Sequence, residues 1–84
     1  SIPATDAHRK MISVIGGRLG IDTTKFLASM KSDNVNSPNL EGLSHSEAQI
    51  CIRKLNLYDK GPEYNGLIIP TEILNDANTK TRKE

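Results

Sequence analysis

The stretch Leu43–Leu57, Leu-Ser-His-Ser-Glu-Ala-Gln-Ile-Cys-Ile-Arg-Lys-Leu-Asn-Leu, specifies a helix together with both of its ends. Ser44 is placed to cap the N-terminus. Glu47, three residues on, reaches back to the Ser44 amide to complete a capping box. Leu43, just before the cap, packs on Ala48 as a hydrophobic staple. Ala48, Cys51, Ile52 and Leu55 fall on one face of a 3.6-residue repeat. Asn56 is expected to take the left-handed position after the last turn, with Leu57 folding back on Ile52. Such a helix has a wet side (Gln49, Arg53, Lys54) and a dry side that the rest of the chain must cover.

Little material is available for that cover. In 84 residues, 36% are hydrophobic, with one Phe and no Trp. This is enough for one domain with a small aliphatic core, near the size where a single core is marginal. The net charge of +1 excludes the basic field of a histone-like DNA binder. The charge is nonetheless uneven: residues 1–31 carry five cations (Arg9, Lys10, Arg18, Lys25, Lys31) against Asp6 and Asp22. One cysteine makes no internal disulfide, so the fold needs no oxidising compartment. No apolar run approaches the roughly 18 residues of a membrane span, and no signal peptide is visible. A cytoplasmic location is expected, and the Ser-Ile-Pro start without Met favours a domain excised from a longer protein.

From the N-terminus, Pro3 keeps Ile2 extended. Thr5 caps a first helix, with Asp6 in the first turn where a carboxylate suits the helix dipole. That helix runs to about Leu19, with His8, Met11, Ile12, Ile15 and Leu19 on one face, and Gly20 ends it. The Gly16–Gly17 pair inside it costs about 1 kcal/mol per Gly relative to Ala, so a close backbone neighbour or a bend is expected there. Asp22 caps a short second helix, about Thr23–Lys31, burying Phe26, Leu27 and Met30, with Ile21 stapled on Phe26. Ser32–Gly42 reads as a polar loop anchored by Val35 and Leu40. After the third helix, Gly61-Pro62 and Asn65-Gly66 are turn signals. Leu67-Ile68-Ile69 is a docked extended segment or an edge strand. Pro70 opens a short fourth helix, Thr71–Ala77, with Ile73 and Leu74 inward. The expected architecture is all-α: a compact three-helix domain over residues 1–77 with a C-terminal extension, and a disordered tail over 78–84.

No enzyme is expected from these residues. His8, His45 and Cys51 lack paired metal-ligand spacing and a fourth ligand, and they read as two helix-start histidines and a core thiol. The carboxylates are scattered singly, with no pair for acid–base work. Gly16-Gly17-Arg18-Leu19-Gly20 lacks the preceding strand and the Lys-Ser/Thr ending of a phosphate loop. Gly17-Arg18-Leu19-Gly20 has the spacing of an RNA-binding KH loop, but its flanks read as capped helices. No cofactor or metal is expected.

Two resemblances bear on function. Ile15–Phe26 resembles a helix-turn-helix, with Gly16 as the small residue, Leu19-Gly20-Ile21 as the turn and Phe26 as the apolar residue of the second helix. Ser29 stands where that motif usually has an apolar residue, and a plain αα-corner has the same spacing. The helix-turn-helix resemblance implies a DNA-binding domain of a transcription regulator, with Thr23, Thr24 and Lys25 opening the recognition helix and Lys31 touching phosphate.

The second covers most of residues 3–57: Pro3-Ala4-Thr5-Asp6, then Met11-Ile12 through Leu19-Gly20-Ile21-Asp22, then Leu43-Ser44-x-x-Glu47-Ala48 through Ile52-x-x-Leu55. This pattern is similar to a small helical module that ends many phage single-strand annealing and recombination proteins. In that family the N-terminal part handles DNA, and the helical module recruits partners such as the exonuclease and the host single-strand-binding protein. The resemblance implies a non-enzymatic recruitment module. The expected site is a shallow groove between the first and third helices. Its floor is Met11, Ile15 and the glycine pair, and Arg9, Lys10, Arg18, Arg53 and Lys54 surround it. A short acidic, apolar-ended or amphipathic peptide of a partner protein suits such a groove, with no small-molecule substrate and no membrane involved. For any one of these cations, an ordinary solvated face is the plainer reading.

Overall fold

The computed structural model describes residues 2–76. Each stretch with a polar cap ahead of an apolar repeat becomes a helix: α1 (Asp6–Arg18), α2 (Thr23–Ser29) and α3 (His45–Lys60). A single turn, α4 (Pro62–Asn65), follows, and 3₁₀ turns occur at Met30–Asp33, Leu40–Gly42 and Thr71–Ile73. Among the described residues there is no β-strand, so the domain is all-α. No described helix is long and apolar enough to cross a membrane.

The caps form as the sequence predicts. The Ser44 hydroxyl accepts from the Glu47 amide at 3.1 Å, and Glu47 accepts from the Ser44 amide at 3.0 Å. Asp22 accepts from the Lys25 amide at 3.1 Å. Thr5 caps α1, and the third-position role usually taken by Glu or Gln falls to His8, whose Nδ1 accepts from the Thr5 amide at 3.4 Å. Gly20, at φ +74°, closes α1 in a Schellman turn. There the Ile21 amide donates to the Gly16 carbonyl at 2.8 Å and the Gly20 amide to the Gly17 carbonyl at 3.1 Å.

Several boundaries and burials differ from expectation. Helix α3 does not stop at Asn56; it runs to Lys60, because Tyr58 adds core contact one turn beyond Leu55 and the first residue that breaks the helix is Gly61, at φ +94° and followed by Pro62. Helix α2 stops at Ser29, whose hydroxyl donates to the Phe26 carbonyl at 2.6 Å, and the chain tightens into the Met30–Asp33 turn. The fourth helix expected at Thr71–Ala77 is only a 3₁₀ turn over Thr71–Ile73, although Ile73 and Leu74 are buried as expected. Ala77 and the tail lie outside the described residues. Leu67–Ile69 is a docked extended segment with Ile69 against the core. The glycine pair causes neither a bend nor a close approach: α1 is continuous, and a Cβ at Gly16 or Gly17 would meet nothing within 4 Å outside its own helix.

The core is Ile12 and Ile15 of α1, Phe26 and Leu27 of α2, Met30, Val35, Leu43, then Ala48, Cys51 and Leu55 of α3, closed by Ile73 and Leu74. Two backbone clasps tie it. At one, the lead-in pairs antiparallel with the start of α3: the Ala4 amide donates to the Leu43 carbonyl at 3.0 Å and the His45 amide to the Ile2 carbonyl at 2.7 Å. At the other, the Asp22 amide donates to the Ile73 carbonyl at 2.8 Å and the Asn75 amide to the Gly20 carbonyl at 3.0 Å. The first clasp puts the starts of α1 and α3 together, so these helices run side by side in the same direction. The His8 and His45 rings meet edge-to-face at 4.7 Å at one end, and Arg18 pairs with Asp59 at 3.0 Å at the other.

Candidate partner-binding site

On the solvent side of the α1–α3 seam lies an open cleft of about 440 Å³, lined by His8 and Met11 of α1 and by Gln49, Ile52, Arg53 and Asn56 of α3. Its apolar part exists because α1 and α3 each carry an apolar residue beside, rather than on, the core-facing stripe. Met11 is 47% exposed, directly before buried Ile12 and one turn before Ile15. Ile52 packs on the core with one side and stays half-buried. Val14, 53% exposed and three residues from Met11, continues the apolar strip along α1. Among the described residues no carboxylate lines the cleft and Arg53 makes no ion pair.

A second cleft, about 330 Å³, lies on the other flank of α3, between that helix and the Met30–Asp33 turn. Ile50 and Leu57 supply its apolar wall, and Arg53 lines it too. Lys54 at its edge pairs with Asp33 at 3.5 Å and lies 5.9 Å from the centre of the Tyr58 ring.

The proposed groove residues therefore do not all meet. Met11 and Arg53 line the α1–α3 cleft, and Arg18 stands at the end of the seam, paired with Asp59. Ile15 is 7% exposed and belongs to the core, not to a groove floor, because it faces the same way as Ile12. Gly16 is buried and Gly17 exposed, and neither lines a cleft. Arg9 turns to the lead-in, donating to the Ala4 carbonyl at 2.8 Å and pairing with Asp6. Lys10 is exposed on the outer face of α1. Lys54 faces the second cleft, on the opposite flank of α3.

Of the residues assigned to DNA contact, Thr24 and Lys31 are exposed and Thr23 is half-buried. Lys25 pairs with Asp76 at 3.2 Å and donates to the Leu74 carbonyl at 3.5 Å, so it turns to the segment that clasps the start of α2.

Two further chemistry-bearing groups, Glu47 and Cys51, are committed to structure. The Glu47 carboxylate holds both the start of α3 and the preceding loop, since its other oxygen accepts from the Asn36 amide at 2.9 Å. Those backbone hydrogen bonds, Asn36 first and Ser44 second, hold its pKa below the ordinary 4.5. Cys51 is fully buried, and burial, reinforced by Glu47 and Asp33, pushes its thiol up to about 11, far from a reactive thiolate. The meeting of His8 and His45 was not legible from spacing, because it depends on the clasp between the lead-in and α3. His8, Gln49, Ile52 and Asn56 were also missed as cleft-lining residues, as was the exposed Val14 beside them. The available signal was the Met11–Val14 spacing, which puts two apolar residues on a helix face that the core repeat does not use. In comparisons with known proteins, no family, no curated protein and no solved structure matches this chain.

Proposed function

We propose that this domain is a non-enzymatic helical interaction module of a phage-type DNA-recombination protein, and that it recruits a partner protein through the α1–α3 seam. The partner is of the kind the module resemblance implies, a single-strand-binding protein with an acidic tail or an exonuclease. The supporting observation is the cleft itself: exposed Met11 and half-buried Ile52 beside Arg53, which has no ion-pair partner among the described residues, none of whose carboxylates lines the wall. An acidic peptide with an apolar end matches that surface, its charge steering the encounter and its apolar end supplying contact area.

The test is a titration of ¹⁵N-labelled domain with a synthetic acidic, apolar-ended peptide. Shifts clustered around Met11, Ile52 and Arg53, with affinity on the order of micromolar, are expected. Arg53→Glu should slow association and flatten the salt dependence. Absence of shifts at millimolar peptide removes the proposal. Sub-micromolar duplex binding at physiological salt, lost in Thr24→Ala and Lys25→Ala, replaces it with the helix-turn-helix reading.

A further inference from the structure

The two clefts flanking α3 share one residue, Arg53. On an α-helix, Gln49, Ile52 and Asn56 fall to one side of Arg53, and Ile50, Lys54 and Leu57 to the other, so its side chain forms the ridge between two hollows. Each hollow has an apolar wall: Met11 and Ile52 in one, Ile50 and Leu57 in the other. The charges sort the same way. Lys54 is offset by Asp33 and Arg18 by Asp59, whereas Arg53 has no ion-pair partner among the described residues.

From this arrangement we infer, building on the recruitment reading above, that the partner crosses α3 as an extended peptide with three inward side chains. An apolar residue enters each cleft, and an acidic residue between them meets Arg53. The spacing follows from geometry. A helix with its side chains is about 10–12 Å across, so hollows on its two flanks lie about 10 Å apart. Alternate side chains of an extended chain point the same way and rise about 6.6 Å per pair of residues. Anchors at positions i and i+4 of the peptide span about 13 Å, which their slant into the clefts takes up. The acidic residue then sits at i+2, facing the same way. The recognition pattern is apolar–x–acidic–x–apolar. Arg53 selects a carboxylate at its centre, since a guanidinium offers a planar pair of donors. A second copy of this chain fits poorly, because a two-fold contact across α3 would oppose Arg53 to Arg53.

The probe is a synthetic nonapeptide blocked at both ends, with leucine at its third and seventh positions, glutamate at its fifth, and serine and glycine elsewhere. Titrated into labelled domain, it should shift both flanks of α3, Met11 and Ile52 on one side and Ile50 and Leu57 on the other. Replacing either leucine by serine should weaken binding roughly tenfold, the loss expected for one apolar anchor. Replacing glutamate by glutamine should weaken the parent but leave binding to the Arg53→Gln domain unchanged. If the single-leucine peptides bind as well as the parent and shift only the Met11 side, the saddle is wrong and recruitment through one cleft stands. If neither this probe nor the acidic, apolar-ended peptide shifts any residue, both readings fall. Shifts of the same residues with protein concentration alone would assign the surface to a second copy and overturn the peptide.

Discussion

Replacing Gly16 and Gly17 by Ala tests the packing around α1 more sharply than any core truncation. A glycine in a helix interior costs about 1 kcal/mol relative to Ala, and conversion at a compatible site usually returns about 0.4–1 kcal/mol. Both positions are helical and neither has a positive φ, while the carbonyls they give to the Schellman turn are backbone groups that Ala also supplies. Gly17 is exposed, so only the backbone effect applies there. Gly16 is buried, yet its Cβ would meet nothing within 4 Å outside the helix. With no neighbour in reach, the new methyl neither clashes nor packs, so the backbone effect decides there as well. The double variant should gain about 1–2 kcal/mol, which for a domain of this size raises Tm by roughly 5–15 °C. Thermal melts followed by circular dichroism, with urea titrations for the free energy, measure this directly. A melting point below that of the parent would show that α1 has a neighbour the structure does not place there.

Two further predictions concern α3. Leu55→Ala should cost about 2–5 kcal/mol, since the side chain is fully buried, whereas half-buried Ile52→Ala should cost less than half as much; equal losses in parallel melts would contradict the open cleft. Glu47→Gln should destabilise by about 1 kcal/mol near neutral pH through the weakened capping box and loop clamp. Because the folded carboxyl titrates below 4.5, its contribution is present in full above that pH and fades as the pH falls through the lower folded value. Urea titrations should find the gap between parent and variant closing in acid, and a gap independent of pH would show that the charge is not what matters.

What was legible in the sequence was local. Thr5, Asp22 and Ser44 announced three helix starts because a cap and its amide partner lie within one turn of chain. Phe26, Leu27, Met30 and Val35 read correctly as core: the first three share one face of a short helical repeat, and Val35 is the apolar residue of a polar loop. Periodicity gave Met11 and Ile52 their angles on each helix but not what stands beside them. Both lie at the margin of the apolar stripe, where the neighbouring helix decides between burial and a groove. Arg9 and Lys54 read as free cations, yet Asp6 and Asp33 engage them. Asp33 sits in a turn whose position depends on the whole fold. The direction of α3 relative to α1 is set by the pairing of Pro3 with Ser44, which no local pattern encodes.

The two clasps also dictate when this chain is able to fold. They join residue 3 to residue 44 and residue 21 to residue 74, so the Gly20–Asp22 segment waits for nearly the full described length to gain its partner. During synthesis, Ile21 lacks its strand-like partner, and Ile73 and Leu74 their place in the core, until the last of these residues has left the ribosome. Helical domains usually owe fast folding to short-range contacts. Here closing the loop between Ile21 and Leu74 should be the slow step, and the last few described residues act as a fastener rather than an appendage. A ribosome-bound chain ending near residue 70 should accordingly be protease-sensitive throughout, not only at its terminus.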